Sequence, residues 1–385
     1  MYYIGVDLHK KSISICVVQT EGRKRVVVAR KRLDTGETGE ICRFFRRFRP
    51  FQVVVEATAS YEWFVALVEP LAGEQSEEAV VLAHPKKVRV IAESAYKTDK
   101  IDARVLAELL AVDMIPRAHR PTPRQREHRT LVRYRRYVLR RLSSVRSKIR
   151  RILANYNADR KALFSVQGLE YLAKCKVSAA DRFVIDQLLQ EWRQHMDRLK
   201  AADKQLTTFA NDPKAPTVEK RARKIIDTIP NLGDVTIDIV IAEVGDAKRI
   251  TSLKRAGSFI GLAPGVRESA GKAKGQGITK EGSRLLRWAM IQAAWRMVRC
   301  EPYWKGVFQK LAARRGKKKA IGAVGRRVFC MIVSMLHSGE VYRQPDVRAR
   351  SKVRFRRHRR AKEWGKDSKK ARGASPRPTR VILPP

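Results

Sequence analysis

Two short apolar runs that each end in a carboxylate constrain the fold of this chain more than any other feature. Tyr2 to Asp7 and Phe51 to Glu56 are rich in β-forming residues and stop at an acid. Strand-type and helix-type patterns alternate over residues 1–115, which predicts a mixed α/β sheet whose first three strands form an antiparallel meander. Ligands of open α/β sheets bind at the carboxyl ends of strands, so Asp7 and Glu56 are candidate site residues.

A second pair of acids begins the helix that is predicted to start at Asp99. Asp99 and Asp102 are three residues apart and share one helical face, where two like charges repel each other. A divalent cation between them would explain this spacing, because hard cations take oxygen ligands. The helix dipole alone would also favour acids in a first turn, so the pair by itself leaves both interpretations open. Together with Asp7 and Glu56, it favours a metal site.

The net charge of +45 and the pI near 10.8 indicate a polyanionic partner, with nucleic acid as the first candidate. A hydrophobic content of 44% indicates that most of the chain folds around a core. An acidic cluster within a strongly basic chain is typical of metal-assisted phosphodiester chemistry. An anionic membrane surface is the weaker alternative, because the sequence has no basic amphipathic helix that ends in an aromatic anchor.

The cysteines and the N-terminus predict the compartment. Five scattered cysteines without a CxxC spacing argue against a disulfide framework or a zinc ribbon and favour a reducing environment. No signal peptide follows Met1, and no run of 18 apolar residues predicts a membrane span. We therefore expect a cytoplasmic, nucleoid-associated protein with no membrane partner.

Residues 116–217 are predicted to hold a proline-containing linker followed by two long helices with heptad patterns. The first stripe is Leu131, Tyr134, Val138, Leu142, Val145, Ile149, Ile152 and Tyr156, and the second is Ile185, Leu189, Trp192, Met196, Leu199 and Leu206. Such helices form either an intramolecular hairpin or a dimerising coiled coil, and we favour dimerisation. Nine cations on the other faces of the first helix predict a phosphate-tracking surface: Arg133, Arg135, Arg136, Arg140, Arg141, Arg146, Lys148, Arg150 and Arg151.

The last third of the chain is predicted to be mostly helical over residues 218–340. Ile225 to Val244 has the pattern of a helix-hairpin-helix that would hold a phosphate, although an ordinary helical corner explains it nearly as well. Ala263 to Gly282 is a glycine-rich, basic loop that suits close approach to a nucleic-acid backbone, and Ser269 lies within it. Residues 341–385 carry sixteen Lys and Arg and are predicted to be a disordered tail that binds nucleic acid.

Three acidic motifs give the chain a resemblance to a known family. Gly5-Val6-Asp7-Leu8-His9-Lys10, Glu56-Ala57-Thr58-Ala59-Ser60-Tyr61 and Lys97-Thr98-Asp99-Lys100-Ile101-Asp102-Ala103 resemble the motifs of the IS110 family of insertion-sequence transposases. Two later motifs, Ile229-Pro230-Asn231-Leu232-Gly233 and Phe259-Ile260-Gly261-Leu262-Ala263-Pro264, resemble landmarks of the C-terminal transposase domain of that family. The departures, Ala59 and Asn231 at positions where glycine is usual, leave the four acids untouched.

The resemblance implies a DEDD enzyme with a RuvC-like, RNase H-like N-terminal domain. Asp7, Glu56, Asp99 and Asp102 would then bind Mg²⁺, with Mn²⁺ as a substitute, and Ser269 would be a nucleophile that joins to a DNA phosphate. It also implies donor and target DNA, a structured non-coding bridge RNA, and a homodimer or tetramer with active sites assembled between subunits. The leading hypothesis is thus a DNA transposase.

Two alternatives remain open on the sequence. A RuvC-like nuclease that resolves junctions by hydrolysis would share the acids but need no serine. A non-catalytic RNA-binding protein would use the arginine-rich helix and the tail and would not depend on Asp7 or Glu56. The four acids at element ends argue against this last alternative.

Overall fold

The computed structural model of the chain describes residues 1–22, 24–58, 60–73, 79–91, 99–269 and 272–344; of residues 90, 99–101, 266–269 and 272–276 it describes the backbone. The chain divides into two compact units, Met1–Pro121 and Thr122–Pro385. The predicted basic tail from residue 345 onward lies outside the described residues.

The N-terminal unit is built on a five-stranded mixed sheet. Its elements are β1 (Tyr2–Leu8), β2 (Ser12–Glu21), β3 (Lys24–Asp34), α1 (Thr38–Arg46), β4 (Phe51–Glu56), α2 (Glu62–Val68), β5 (Val80–Ala83), α3 (Pro85–Ile91) and α4 (Asp99–Ala111). The strand order is β3-β2-β1-β4-β5; β1, β2 and β3 pair antiparallel, whereas β4 is parallel to β1 and β5 is parallel to β4. This confirms the predicted meander and the mixed sheet, which is RNase H-like.

Helices cover both faces of this sheet. Ile4 and Val6 point to one face and are fully buried in a core with the phenylalanines of α1 and α2, such as Phe45 and Phe64. On the other face, Cys16 and Val18 of β2 pack with Ala103 and Ala107 of α4. The alternation of side chains along β1 therefore places Gly5 and Asp7 on the face that α4 covers.

Gly5 is the point at which α4 lies directly against β1. A Cβ atom at Gly5 would lie 2.0 Å from the carbonyl oxygen of Ala103 and 2.5 Å from the amide nitrogen of Ala107. Both atoms belong to helical backbone, which cannot move aside as a flexible side chain can. Glycine is therefore required here for close approach of the helix to the sheet.

We expect Gly5→Ala to destabilise the N-terminal unit by about 3 kcal/mol, because overpacking against backbone forces the helix to shift. Thermal melting of the full chain, followed by circular dichroism, measures the loss. Gly39→Ala is the matched control, since a Cβ at this α1 position meets nothing within 4 Å and alanine suits a helix better than glycine. Equal melting of Gly5→Ala and Gly39→Ala would contradict the close contact.

The C-terminal unit is mostly helical. Its elements are α5 (Pro123–Ala154), α6 (Val166–Lys174), α7 (Ala179–Ala210), α8 (Thr217–Asp227), α9 (Asp234–Val244), α10 (Leu253–Phe259), β6 (Pro264–Ser269), β7 (Lys272–Ile278), α11 (Arg284–Cys300), α12 (Pro302–Arg315) and α13 (Lys317–Ser338). A main core joins α8 to α13 with the ends of α5 and α7, which contribute Val132 and Leu206.

The two heptad helices, α5 and α7, pack against each other within the chain. Their shared core contains Val138, Leu142 and Ile149 of α5 with Ile185 and Trp192 of α7. The heptad stripe is thus used in an intramolecular hairpin, which corrects the preference for a dimerising coiled coil.

The second and the last positions of the predicted α5 stripe are also corrected. Tyr134 is 45% exposed and Tyr156 is 38% exposed, whereas Val132 and Leu153 are buried in their place. A straight α-helix drifts by about 20° per heptad relative to a 3.5-residue repeat, so the stripe rotates away from the partner over a 32-residue helix.

Helix α13 is long and apolar enough in composition to cross a bilayer, but half of its apolar window is buried within the protein. Val324, Phe329 and Ile332 are fully buried in the main core, and the helix packs against α10, α11 and α12. Its hydrophobicity is therefore that of a core helix.

The two helices predicted between Ile225 and Val244, as a helix-hairpin-helix or an ordinary helical corner, are present as α8 and α9. Asn231 takes a φ of 63° in the turn, a left-handed conformation that asparagine tolerates, and Gly233 precedes the first residue of α9. The phosphate grip of this element remains a prediction.

The prediction that Ala263 to Gly282 form an irregular loop is wrong. β6 and β7 pair antiparallel from Pro264↔Ile278 to Ser269↔Lys272 and form a two-stranded hairpin. Backbone pairing needs no side chains, so the glycines that suggested a loop are accommodated in β7.

Candidate active site

Asp7 and Glu56 lie side by side at the carboxyl ends of two neighbouring parallel strands. β1 and β4 pair with Val6 opposite Val55, so the next residue on each strand is one of the two acids. Neighbouring strands lie about 4.8 Å apart, which brings the two backbones within reach of one ion. Gly5 is opposite Val54 in the same ladder, so both acids share the sheet face that α4 covers. The strand adjacency that a joint site requires is thus present.

The N-terminal end of α4 is directed towards these two acids. Gly5 in the middle of β1 meets Ala103 and Ala107, while Tyr3 at the start of β1 packs against the cluster that contains Leu110. The helix therefore runs back along β1, with its first turn towards the strand end that carries Asp7. Asp102 directly precedes Ala103, the residue in contact with Gly5, and its side chain is half-buried.

Asp99 is the first residue of α4, three positions before Asp102. Its side chain lies outside the described part of the structure, so the structure places its backbone alone. Among the side chains that are described, no group of three His, Cys, Asp or Glu residues forms a metal-binding cluster. The four-acid site therefore stays a prediction that rests on three described acids and one backbone position.

The donor set suits a hard divalent cation. Asp7, Glu56 and Asp102 offer carboxylate oxygens only, and the Asp7 side chain is 19% exposed, which leaves a solvent route to a shielded site. Oxygen-only ligands select Mg²⁺, Ca²⁺ or Mn²⁺ over metals that prefer nitrogen or sulfur. The residues present therefore fit the cation that a DEDD transposase implies.

His9 contacts the candidate site, and the sequence analysis quoted it in the first acidic motif without giving it a role. Its ring Nε2 lies 3.1 Å from Oδ2 of Asp7, and its backbone N–H donates to the carbonyl of Ser12 in the turn that joins β1 to β2. The side chain is 52% exposed, so it stands at the open edge of the acid pair. The signal was the spacing of two residues, which puts His9 on the same side of the chain as Asp7.

Ser269 lies at the last paired position of β6, opposite Lys272. Its side chain lies outside the described residues. The base of the hairpin is held firmly: the amide of Thr279 donates to Ala263 and the amide of Lys280 donates to Gly261. Gly282 has a φ of 72°, and a Cβ there would lie 2.0 Å from the carbonyl of Phe259. The hairpin therefore projects from a fixed base.

Part of the predicted phosphate-tracking face of α5 is engaged in contacts within the protein. Six of the nine cations contact neighbours within the C-terminal unit: Arg133 with Glu243, Arg135 with Asp203, Arg136 with Trp288, Arg141 with Tyr137, Arg146 with Phe164 and Trp192, and Arg150 with Asp159. An acid neutralises Arg133, Arg135 and Arg150, whereas the ring contacts of the other three leave their charge unpaired. Binding of phosphates by this face stays a prediction.

Family models match both units of the chain. A model described as a transposase, of the DEDD type, matches residues 4–158 and covers Asp7, Glu56, Asp99 and Asp102. A model described as "Transposase IS116/IS110/IS902 family" matches residues 223–309 and covers Ser269.

Similar proteins extend this match along most of the chain. The transposase for insertion sequence element IS1328 of Yersinia enterocolitica is 25% identical over 298 residues, which are 76% of this chain and 82% of that protein. The transposase for IS1111A of Coxiella burnetii is 24% identical over 353 residues, covering 88% of this chain and 91% of that protein. The non-catalytic alternative is thereby set aside. The chain belongs to the IS116/IS110/IS902 family of transposases, enzymes that act on DNA phosphodiesters, and carries a DEDD domain at its N-terminus.

Proposed function

We propose that this transposase excises and inserts an insertion sequence by Mg²⁺-dependent strand exchange through a serine–DNA covalent intermediate. The observation that carries the proposal is the register of β1 and β4, which sets Asp7 beside Glu56 on the face where α4 begins. Asp99 and Asp102 would complete the set, since both belong to the first turn of that helix.

The four acids would hold the cation, which supplies positive charge to a scissile phosphate when it is bound. The protein residues have separate tasks. The carboxylates alone repel a phosphate, so the site accepts DNA only when their charge is compensated. His9 would fix the orientation of the Asp7 carboxylate through its hydrogen bond.

In the covalent step, the Ser269 hydroxyl oxygen would form a bond to phosphorus while the bond from phosphorus to the sugar oxygen breaks. The proton lost by the serine ends on the departing sugar hydroxyl, so no phosphodiester is lost and no co-reactant is consumed. Rejoining is the reverse reaction with a hydroxyl from another strand. A serine hydroxyl is a weak nucleophile at neutral pH, so this step needs activation by a base or a cation.

The proposed partners are donor and target DNA and a structured bridge RNA, with action at the bacterial nucleoid. The charge of +45 supports a large nucleic-acid assembly. Ser269 and the acids belong to different units of the chain, which is compatible with active sites that a dimer or tetramer completes between subunits.

The test is an in vitro reaction of the full chain with labelled DNA that spans the gene and its flanks, together with RNA transcribed from the same region. With Mg²⁺ we expect a protein–DNA adduct that survives denaturation and a rejoined product; with EDTA we expect neither. Cleavage without an adduct would instead select the hydrolytic, RuvC-like alternative and overturn the serine pathway.

We expect His9→Ala to lower the strand-exchange rate by about 10- to 100-fold, the usual effect of losing a hydrogen bond that orients a metal-binding carboxylate. The Mg²⁺ concentration for half-maximal rate should rise, which distinguishes a weakened cation site from general damage. Lys11→Ala, an exposed change two residues on, is the control. An unchanged Mg²⁺ dependence of His9→Ala would show that the contact with Asp7 has no role.

A further inference from the structure

A cavity of about 320 Å³ in the C-terminal unit is lined mainly by arginines. We call it the arginine pocket; its lining is Arg133, Arg136, Tyr137 and Arg140 of α5, Glu243 of α9, and Ser283, Arg284 and Leu285 at the start of α11. One water molecule takes about 30 Å³ of liquid, so the pocket has room for a group much larger than water.

The positive charge of the pocket is not neutralised by the described residues. Its one acid, Glu243, is buried and already holds Arg133 through two contacts, at 3.1 and 3.2 Å, with Arg129 at 3.9 Å. In the described part of the chain, Arg136, Arg140 and Arg284 make no ion pair. Three guanidinium groups therefore share one small space without a carboxylate of their own.

Neighbouring arginines perturb one another in this region. Burial and then the positive charge of Arg140 lower the pKa of Arg136, and burial and then Arg284 lower the pKa of Arg287. Like charges held together in this way cost free energy in the protein alone. An anion placed among them would recover that cost.

Arg136 of the pocket and Arg287, which lies outside its lining on the same helix as Arg284, are held in place by contacts that do not use up their charge. The guanidinium of Arg136 lies 3.9 Å from the ring centroid of Trp288 on α11, a cation–π contact that fixes its plane. Arg287 donates to the carbonyl oxygens of Ile260 and Glu281, at 3.1 and 3.0 Å. Preorganised planar guanidiniums suit the paired oxygens of a phosphate.

The pocket adjoins the base of the β6–β7 hairpin. Ser283, which lines it, caps α11 by accepting from the amide of Leu286 at 3.2 Å and directly follows Gly282. Arg287 donates hydrogen bonds to the carbonyl oxygens of Ile260 and Glu281. These two residues lie in the segments that precede and follow the hairpin. A phosphate in the pocket would therefore hold a nucleic-acid backbone beside the hairpin that carries Ser269.

We propose that the arginine pocket binds a backbone phosphodiester of nucleic acid and positions the strand for the hairpin. The inference rests on the proposed function for its purpose, but the binding itself does not require catalysis. Arg140 and Arg284 are the exposed members that would reach the phosphate, and Arg136 is the oriented member behind them.

The test measures binding of the full chain to a labelled DNA duplex and, separately, to an RNA duplex of about 30 base pairs, at several salt concentrations. We expect Arg140→Glu and Arg284→Glu each to weaken binding at least fivefold at about 0.15 M salt and to reduce the salt slope by about 1, the share of one phosphate contact. Arg140→Lys should keep most of the slope because it keeps the charge. If the variants lose affinity for only one of the two duplexes, DNA or RNA, the phosphate in the pocket belongs to that nucleic acid.

The matched control is Arg193→Glu, an identical charge reversal at an exposed position of α7. Melting temperatures of all variants establish that each is folded. If Arg140→Glu and Arg284→Glu bind like the wild type, or lose no more than Arg193→Glu, the pocket is not a phosphate site.

The outcome is separable from that of the proposed function. Normal binding by the pocket variants would overturn this inference while adduct formation by the wild type could still be observed. If the wild type binds nucleic acid through the pocket but forms no protein–DNA adduct, the serine pathway is overturned and the phosphate site in the pocket is retained.

Discussion

Asp102→Asn is expected to abolish strand exchange, with a loss of about 1,000-fold or more. The substitution keeps the size of the side chain and removes one negative oxygen donor from the first turn of α4, beside the ends of β1 and β4. A catalytic cation contributes several kcal/mol to a phosphoryl-transfer barrier, and each 1.4 kcal/mol is about tenfold in rate. Gel analysis of the adduct and of the rejoined product measures the effect.

Binding of DNA and RNA by Asp102→Asn should remain close to that of the wild type, since the basic surfaces are unchanged. Glu108→Gln is the matched control: it removes one carboxylate charge from the same helix, where Glu108 pairs with Arg104 at 2.7 Å on the surface. Surface pairs of this kind contribute about 1 kcal/mol or less. Recombination by Asp102→Asn at the rate of Glu108→Gln would remove Asp102 from the site.

The acid pair on the sheet could be predicted because two local signals agree with a topological rule. Tyr2 to Asp7 and Phe51 to Glu56 each show an apolar strand that stops at an acid, and parallel strands end at one edge. The contact of α4 with Gly5 could not be predicted from the sequence. A glycine in a strand permits close approach of another backbone, but it does not specify which element approaches.

The heptad helices show a different limit of sequence reasoning. A stripe such as Val138, Leu142 and Val145 specifies that a helix will cover it, but not whether that helix comes from the same chain. The short connection through α6 decides the outcome, since it brings α7 back along α5.

Two buried acids of α9 show a contact of the arginine face of α5 that its sequence pattern did not predict. Asp238 and Glu243 lie in the apolar helix α9 and are 3% and 4% exposed. Glu243 accepts from Arg133, and Asp238 accepts from Arg223 and lies 3.1 Å from His128. A buried carboxylate requires a charged or hydrogen-bonded partner, so Glu243 pairs with Arg133, whose side chain stays 57% exposed. The contacts of Arg133 and His128 with these acids join residues 110 positions apart, so the local pattern of α5 does not show them.

Ser269→Ala is expected to eliminate the covalent protein–DNA adduct, with strand exchange reduced about 10,000-fold or more, because removal of a nucleophile leaves no alternative route to the intermediate. Ser269 ends β6 opposite Lys272, on a hairpin whose base is fixed by Gly261 and Gly282, so the substitution should leave folding unchanged. Metal binding should also be unchanged, since the acids lie in the other unit of the chain.

The control is Ser258→Ala, an exposed serine upstream of the same hairpin that should react like the wild type. Mass spectrometry of the digested wild-type adduct should locate the DNA on the peptide that contains Ser269. An adduct on another peptide, or an adduct formed by Ser269→Ala, would move the nucleophile elsewhere. If both serine variants cleave DNA in Mg²⁺ and neither they nor the wild type forms an adduct, the acids act by hydrolysis, and the hairpin serves in binding rather than in bond formation.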